Sequence, residues 1–219
     1  MDDIRTDYAA ARTGARAEAG TATLLGQVMF LVAIAIGFLV LGSYVGRDLA
    51  IGTARILGFI GFGMLIASSF VERLRVGPTA IGWLYATALV IGLGLGPILA
   101  YFVSNDPSAI TQAAGGTALI VLGMGSLGFA LSKDLSPWMR PLSFIVFGAV
   151  IVSLALVMFG SGGSPIVSII IGCLSAVLIT VNFNYLRKHG TEADAVWIAT
   201  GIFVSIVNIF LSLLNLFGD

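Results

Sequence analysis

Charge is what this sequence lacks most. Asp, Glu, Lys and Arg make up only 10% of its 219 residues against 58% hydrophobic, and the mean hydropathy is +1.05. A soluble domain carries about 25% charged residues, so that class is excluded. Cysteine and histidine occur once each, as Cys173 and His189. One cysteine excludes a disulfide within the chain and a Cys-based metal site; in an apolar stretch it reads as a small packing residue. The lone histidine is either a pH sensor or an ordinary exposed loop residue. HExxH, paired carboxylates, a nucleophile–base pair and a phosphate loop are also missing. No catalytic residue, metal site or cofactor is therefore expected, and the chain is not expected to be an enzyme. The basic residues are scattered in pairs rather than gathered in a patch, which argues against a nucleic-acid partner.

What the chain has instead is length without charge. Seven apolar segments fall at 24–45, 51–71, 79–103, 113–132, 139–160, 164–186 and 195–217. Each is long enough to cross a bilayer core of roughly 30 Å as a helix. Arg5, Arg12 and Arg16 precede the first, Arg73 and Arg75 follow the second, Lys133 and Arg140 follow the fourth, and Arg187 and Lys188 follow the sixth. The alternate connections carry only Arg47, and Arg55 lies inside the second segment. Cytoplasmic loops are enriched in Lys and Arg, so the pattern predicts a cytoplasmic N-terminus and a C-terminus outside. The fold class is all-α: a polytopic membrane protein built as a seven-helix bundle.

Residues 1–22 form a polar tail without the apolar centre of a signal peptide, either a short amphipathic helix or disordered. Residues 23–219 form one transmembrane domain. The short tail and compact loops point to a bacterial inner (plasma) membrane.

Glycine is plentiful, with 28 copies. Helices in lipid associate where small residues let backbones approach, which points to the third and fourth spans as the bundle centre and to the first and fifth as lipid-facing. Gly92, Gly94 and Gly96 run into Pro97, a pattern that fits either a discontinuous transport helix or tight packing. The stretches Ser104-Asn-Asp-Pro107 and Gly160-Ser-Gly-Gly-Ser-Pro165 read as turns. Trp83, Trp138 and Trp197 read as interfacial anchors. Arg55 is the one ionisable residue well inside a span, either snorkelling outward or facing the bundle. Asn182 and Asn184 in the sixth span, with Ser205 and Asn208 in the seventh, line an ion pathway or bond the two helices together.

Three stretches carry a family resemblance. Ser132-Lys-Asp-Leu-Ser136, closing a segment that contains Gly116-Thr-Ala-Leu119, resembles the fourth span and following loop of the transmembrane Bax inhibitor motif family. Leu93-Gly-Leu-Gly-Pro97 is similar to its third span, and Asn208-Ile-Phe-Leu-Ser-Leu-Leu-Asn-Leu-Phe-Gly218 to its last. The resemblance implies a bundle with the C-terminal helix at its centre. It also implies a calcium or other cation leak channel controlled by pH, or a regulator of a membrane-anchored ATP-dependent protease or another membrane protein. The family's leak rests on two facing aspartates and an arginine near the end of the second span. Arg73 matches the arginine, but the aspartate positions hold Asn182 and Ser205. Neither titrates, so pH gating by a shared proton is expected to be weak, and calcium, which favours carboxylate oxygens, is expected to bind poorly.

Overall fold

The structure is a computed structural model describing residues 2–158 and 164–218. Seven helices follow in order: α1 Asp2–Val45, α2 Ile51–Phe70, α3 Pro78–Asn105, α4 Pro107–Ala130, α5 Ser136–Met158, α6 Pro165–His189 and α7 Ala195–Phe217. All seven are long and apolar enough to span a membrane, α1 through its stretch Gly20–Val45. Short 3₁₀ turns at Glu72–Leu74 and Glu192–Asp194 lead into α3 and α7.

Helix starts follow from local chemistry. Pro78, Pro107 and Pro165 open α3, α4 and α6, where a missing N–H leaves no helical bond unmade. The third and fourth spans are separated by Asp106 alone. Its carboxylate accepts from the Ala109 N–H at 3.1 Å and from the Ser108 hydroxyl at 2.5 Å. That cap draws Pro107–Gln112 into the helix, which therefore begins six residues before the predicted start at 113. Of the second predicted turn, Gly160–Gly163 lie outside the described residues.

The glycines do not mark the centre of the bundle. The two most buried spans are α6 and α7, each 44% buried, while α3 reaches 28% and α4 22%. The C-terminal helix thus stands at the core, with α6 beside it, and packs on α6, α4, α1 and α3. The spans most open to lipid are α2 and α5, each 11% buried. Helix α1 leaves an apolar face exposed at Phe30, Val40 and Leu41, and with its other face buries Leu24, Val28, Val32 and Ala35 against α3 and α7. Small residues report close approach, and that happens between outer helices, as at Gly92 and Gly96, as well as at the core, as at Gly128 and Gly201.

Helix α3 runs unbroken through Gly92–Pro97 and is sandwiched between α1 and α2. A Cβ at Gly92 would come 2.2 Å from the Leu39 carbonyl oxygen, and one at Gly96 2.4 Å from the Gly46 carbonyl carbon, both on α1's side. Gly94 faces α2, where a Cβ would lie 2.7 Å from the Gly58 nitrogen. Pro97 has no N–H for the Leu93 carbonyl one turn back. That oxygen lies 2.5 Å from where a Gly46 Cβ would be, so the glycine Cα–H of α1 faces the carbonyl that Pro97 leaves free. In this sandwich, glycine and proline serve packing.

Candidate functional site

The polar residues of α6 divide between two faces. At about 100° per residue, Asn182 and Asn184 point roughly 200° apart, so they serve different neighbours. Thr180 and Asn184 face α4. The Thr180 hydroxyl donates to the Met124 carbonyl at 3.1 Å, and the Asn184 amide donates to the Gly128 carbonyl at 3.1 Å. Both pairs advance by four residues, which sets α4 and α6 in parallel register. Gly128 makes the approach possible, because a Cβ there would lie 2.4 Å from the Thr180 oxygen.

Asn184, fully buried at 0% exposure, is the hub of this contact. Its amide nitrogen also donates to the Leu131 and Lys133 carbonyls, each at 3.1 Å, while its oxygen accepts from the Leu135 N–H at 2.9 Å. Two hydrogens serve three acceptors, so one is shared. The next turn of α6 continues the grip: Arg187 donates to the Leu131 carbonyl, Lys188 to that of Ser132, and His189 Nε2 meets Asp134 Oδ2 at 2.8 Å. The segment Leu131–Leu135 therefore hands its polar groups, one after another, to the end of α6. Asp134 also accepts from the Ser136 N–H at 2.9 Å and the Ser136 hydroxyl at 2.7 Å, anchoring the start of α5. These bonds, with His189 third in importance, hold the Asp134 carboxyl well below the usual carboxylate range.

Asn182 and Ser205 meet at Gly201 on α7. Asn182 is 6% and Ser205 2% exposed. The Asn182 amide donates to the Leu178 carbonyl of its own helix at 2.8 Å, and its oxygen lies 2.9 Å from where a Gly201 Cβ would stand. The Ser205 hydroxyl donates back to the Gly201 carbonyl at 2.9 Å. Among the described residues no hydrogen bond joins Asn182 to Ser205. Asn208 is half-buried and its side chain makes no hydrogen bond to a described residue. Arg73 and Arg55 are both exposed and unpaired among the described residues, Arg73 at the basic end and Arg55 on the lipid-facing helix α2. Four of the polar candidates thus fall in three places rather than one pathway.

A cavity of about 640 Å³ opens at the same end as the basic residues. Its lining includes Glu72, Arg75, Arg140, Tyr185, Asp194 and Trp197. The Arg75 guanidinium lies 5.4 Å from the centre of the Trp197 ring, which packs edge-on to Tyr185 at 5.4 Å. Trp197 is therefore part of the cavity's lining. Trp83 is likewise engaged inside, donating to the Met64 carbonyl at 3.1 Å and the Ser68 hydroxyl at 3.0 Å across α2 and α3. Sequence spacing did not bring out this cavity, because its charged residues come from the turn after α2, the start of α5 and the turn before α7. The one available signal was that each sits beside a span end of the same charge class. Among the described residues no group of His, Cys, Asp and Glu is arranged to hold a metal.

The chain is similar to several bacterial proteins. It is 29% identical to an uncharacterised protein of Pseudomonas aeruginosa over 197 residues, covering 86% of this chain and 85% of that one. It is 28% identical to an uncharacterised protein of Neisseria meningitidis serogroup B over 172 residues, 76% of this chain and 72% of the other. The modulator of FtsH protease YccA from Escherichia coli is 27% identical over 150 residues, 64% of this chain and 65% of that protein. The family model described as inhibitor of apoptosis-promoting Bax1 matches residues 21–219. With seven apolar helices, α7 at their core, and a match over nearly the whole chain, this multi-pass membrane protein belongs to the Bax inhibitor family.

Proposed function

We propose that this protein is a non-conducting regulator of a bacterial inner membrane, acting by contact with another membrane protein such as a membrane-anchored ATP-dependent protease. The observation that carries this reading is the state of Asn182 and Ser205. Both side chains donate within their own helices, and both are buried beside Gly201. Calcium favours several oxygen ligands with carboxylates among them, and this contact supplies one amide and one hydroxyl. The name of the Escherichia coli relative, a modulator of FtsH protease, supports the same reading. Alternating Lys and Arg orient the chain with its N-terminus and basic end cytoplasmic and its C-terminus outside.

The test reconstitutes the chain in liposomes containing an ATP-dependent membrane protease, with a calcium dye trapped inside. The expected outcome is a several-fold change in turnover of a membrane substrate and no calcium entry above that of empty vesicles, from acid to neutral pH. Unchanged turnover with calcium entry above the empty-vesicle rate would favour the cation-leak reading instead.

A further inference from the structure

The outer helices α2 and α5 are held by different neighbours, α2 by α3 and α5 by α6. Across the gap between them Phe62 stacks on Phe147, with ring centroids 5.1 Å apart. The 640 Å³ cavity lies at the basic end of this gap. One wall comes from the turn after α2, with Glu72 and Arg75; the other comes from the start of α5, with Met139 and Arg140. Tyr185 and Trp197 form its floor, and Asp194 adds a carboxylate. Phe70, 81% exposed, stands at its rim.

The charges around this cavity are balanced but unpaired. Two arginines and two acids line it, yet the ion pairs among the described residues are Arg47–Asp48 and His189–Asp134. Arg75 rests over the Trp197 ring, one Asp194 oxygen accepts from Thr191, and the side chains of Glu72 and Arg140 have no hydrogen bond among the described residues. At a membrane surface such residues gain from pairing or from a ligand that completes them. A balanced ring of this kind suits a ligand carrying both signs. Arginine forks match phosphate oxygens, and carboxylates match an ammonium with hydrogens to donate. The volume lies within the range of about 300–1,000 Å³ usual for small-ligand sites. The flanking helices supply the apolar surroundings, with Phe59 and Ile60 on α2 and Phe144 and Ile145 on α5 exposed.

We infer that this cavity binds an aminoethyl phosphate group, delivered as the headgroup of a zwitterionic phospholipid from the adjoining leaflet. Its phosphate sits between Arg75 and Arg140, its ammonium faces Glu72 and Asp194, and its acyl chains leave along the gap between α2 and α5. Basic pockets between spans are known headgroup sites; the two acids are what turn this one towards a zwitterion.

Native mass spectrometry of the full-length chain tests the inference, with phosphatidylethanolamine, phosphatidylcholine, phosphatidylglycerol and soluble glycerophosphoethanolamine as probes. The expected result is one phosphatidylethanolamine retained in preference to the other two lipids, and a loss of about tenfold or more (about 1.4 kcal/mol) in the Arg75→Gln/Arg140→Gln pair. Glu72→Gln, a change at an exposed residue, is expected to move the preference towards phosphatidylglycerol, a reversal that general destabilisation does not produce. A preference for phosphatidylglycerol in the unmodified chain, or preferences unmoved by Glu72→Gln, would overturn the zwitterion site. Displacement of the lipid by equimolar soluble headgroup would overturn its origin in the membrane.

Discussion

Asn184, itself 0% exposed, joins α6 to α4 and to the α4–α5 connection through four hydrogen bonds, of which the one to the Gly128 carbonyl is fully buried. Leaving a buried carbonyl or N–H without a partner costs about 1–3 kcal/mol each. Asn184→Ala is therefore expected to lower stability by about 3 kcal/mol or more, read as an earlier thermal midpoint in detergent, whereas Asn208→Ala should change it by less than about 0.5 kcal/mol. Asp134 gives a pH prediction. Its carboxyl is held below the ordinary range by Ser136 and then His189. A depressed carboxyl contributes stability above the unfolded-state value, and that contribution fades only as pH falls through the lower folded one. The thermal midpoint of the unmodified chain should thus exceed that of Asp134→Asn at neutral pH, and the two should converge only in strong acid. Equal midpoints at neutral pH would show that the Asp134 bonds contribute nothing.

Among the elements, α3 shows how a transport-like pattern can be a packing pattern. Gly92 and Gly96 are four residues apart and therefore share one face, against α1, while Gly94 turns to α2. Adding a methyl at Gly96 sets a side chain 2.4 Å from backbone that cannot swing aside. Gly96→Ala is expected to cost about 1–3 kcal/mol by overpacking. Gly82→Ala on the same helix, where no atom lies within 4 Å of an added Cβ, should be neutral or slightly stabilising. Unfolding of both variants in mixed micelles separates these outcomes. The same reasoning explains why spans crowded with glycine were not the core: α6 and α7 are buried by Ile, Phe and Val, with a few polar side chains among them.

At the scale of the whole molecule, the meeting point of α6 and α7 is an uncharged contact. Placing carboxylates there is a direct experiment. With Asn182→Asp and Ser205→Asp together, two carboxylates face each other beside Gly201 and must share protons. The double variant is expected to stay folded and to admit calcium into liposomes in a pH-dependent way, where the unmodified chain does not. An equally silent double variant would mean that two carboxylates at this contact do not open a path through the bundle.

The sequence by itself determined the number of spans, the alternation of charge and the start of most helices, because each depends on neighbours along the chain. Hydropathy over twenty residues, a proline at a first turn and an Asp106 cap act locally. The family was legible in Ser132–Ser136 and in the last helix for the same reason: order and spacing survive divergence. Only the tertiary structure decided what the polar residues do. Asn182 and Asn184 are two apart in sequence yet face α7 and α4, and Arg75, Arg140 and Asp194 come from separate stretches of the chain to line one cavity. Those outcomes depend on which helices touch and at what rotation, and that is fixed by close approach at residues such as Gly128 and Gly201, set by the packing of all the helices together.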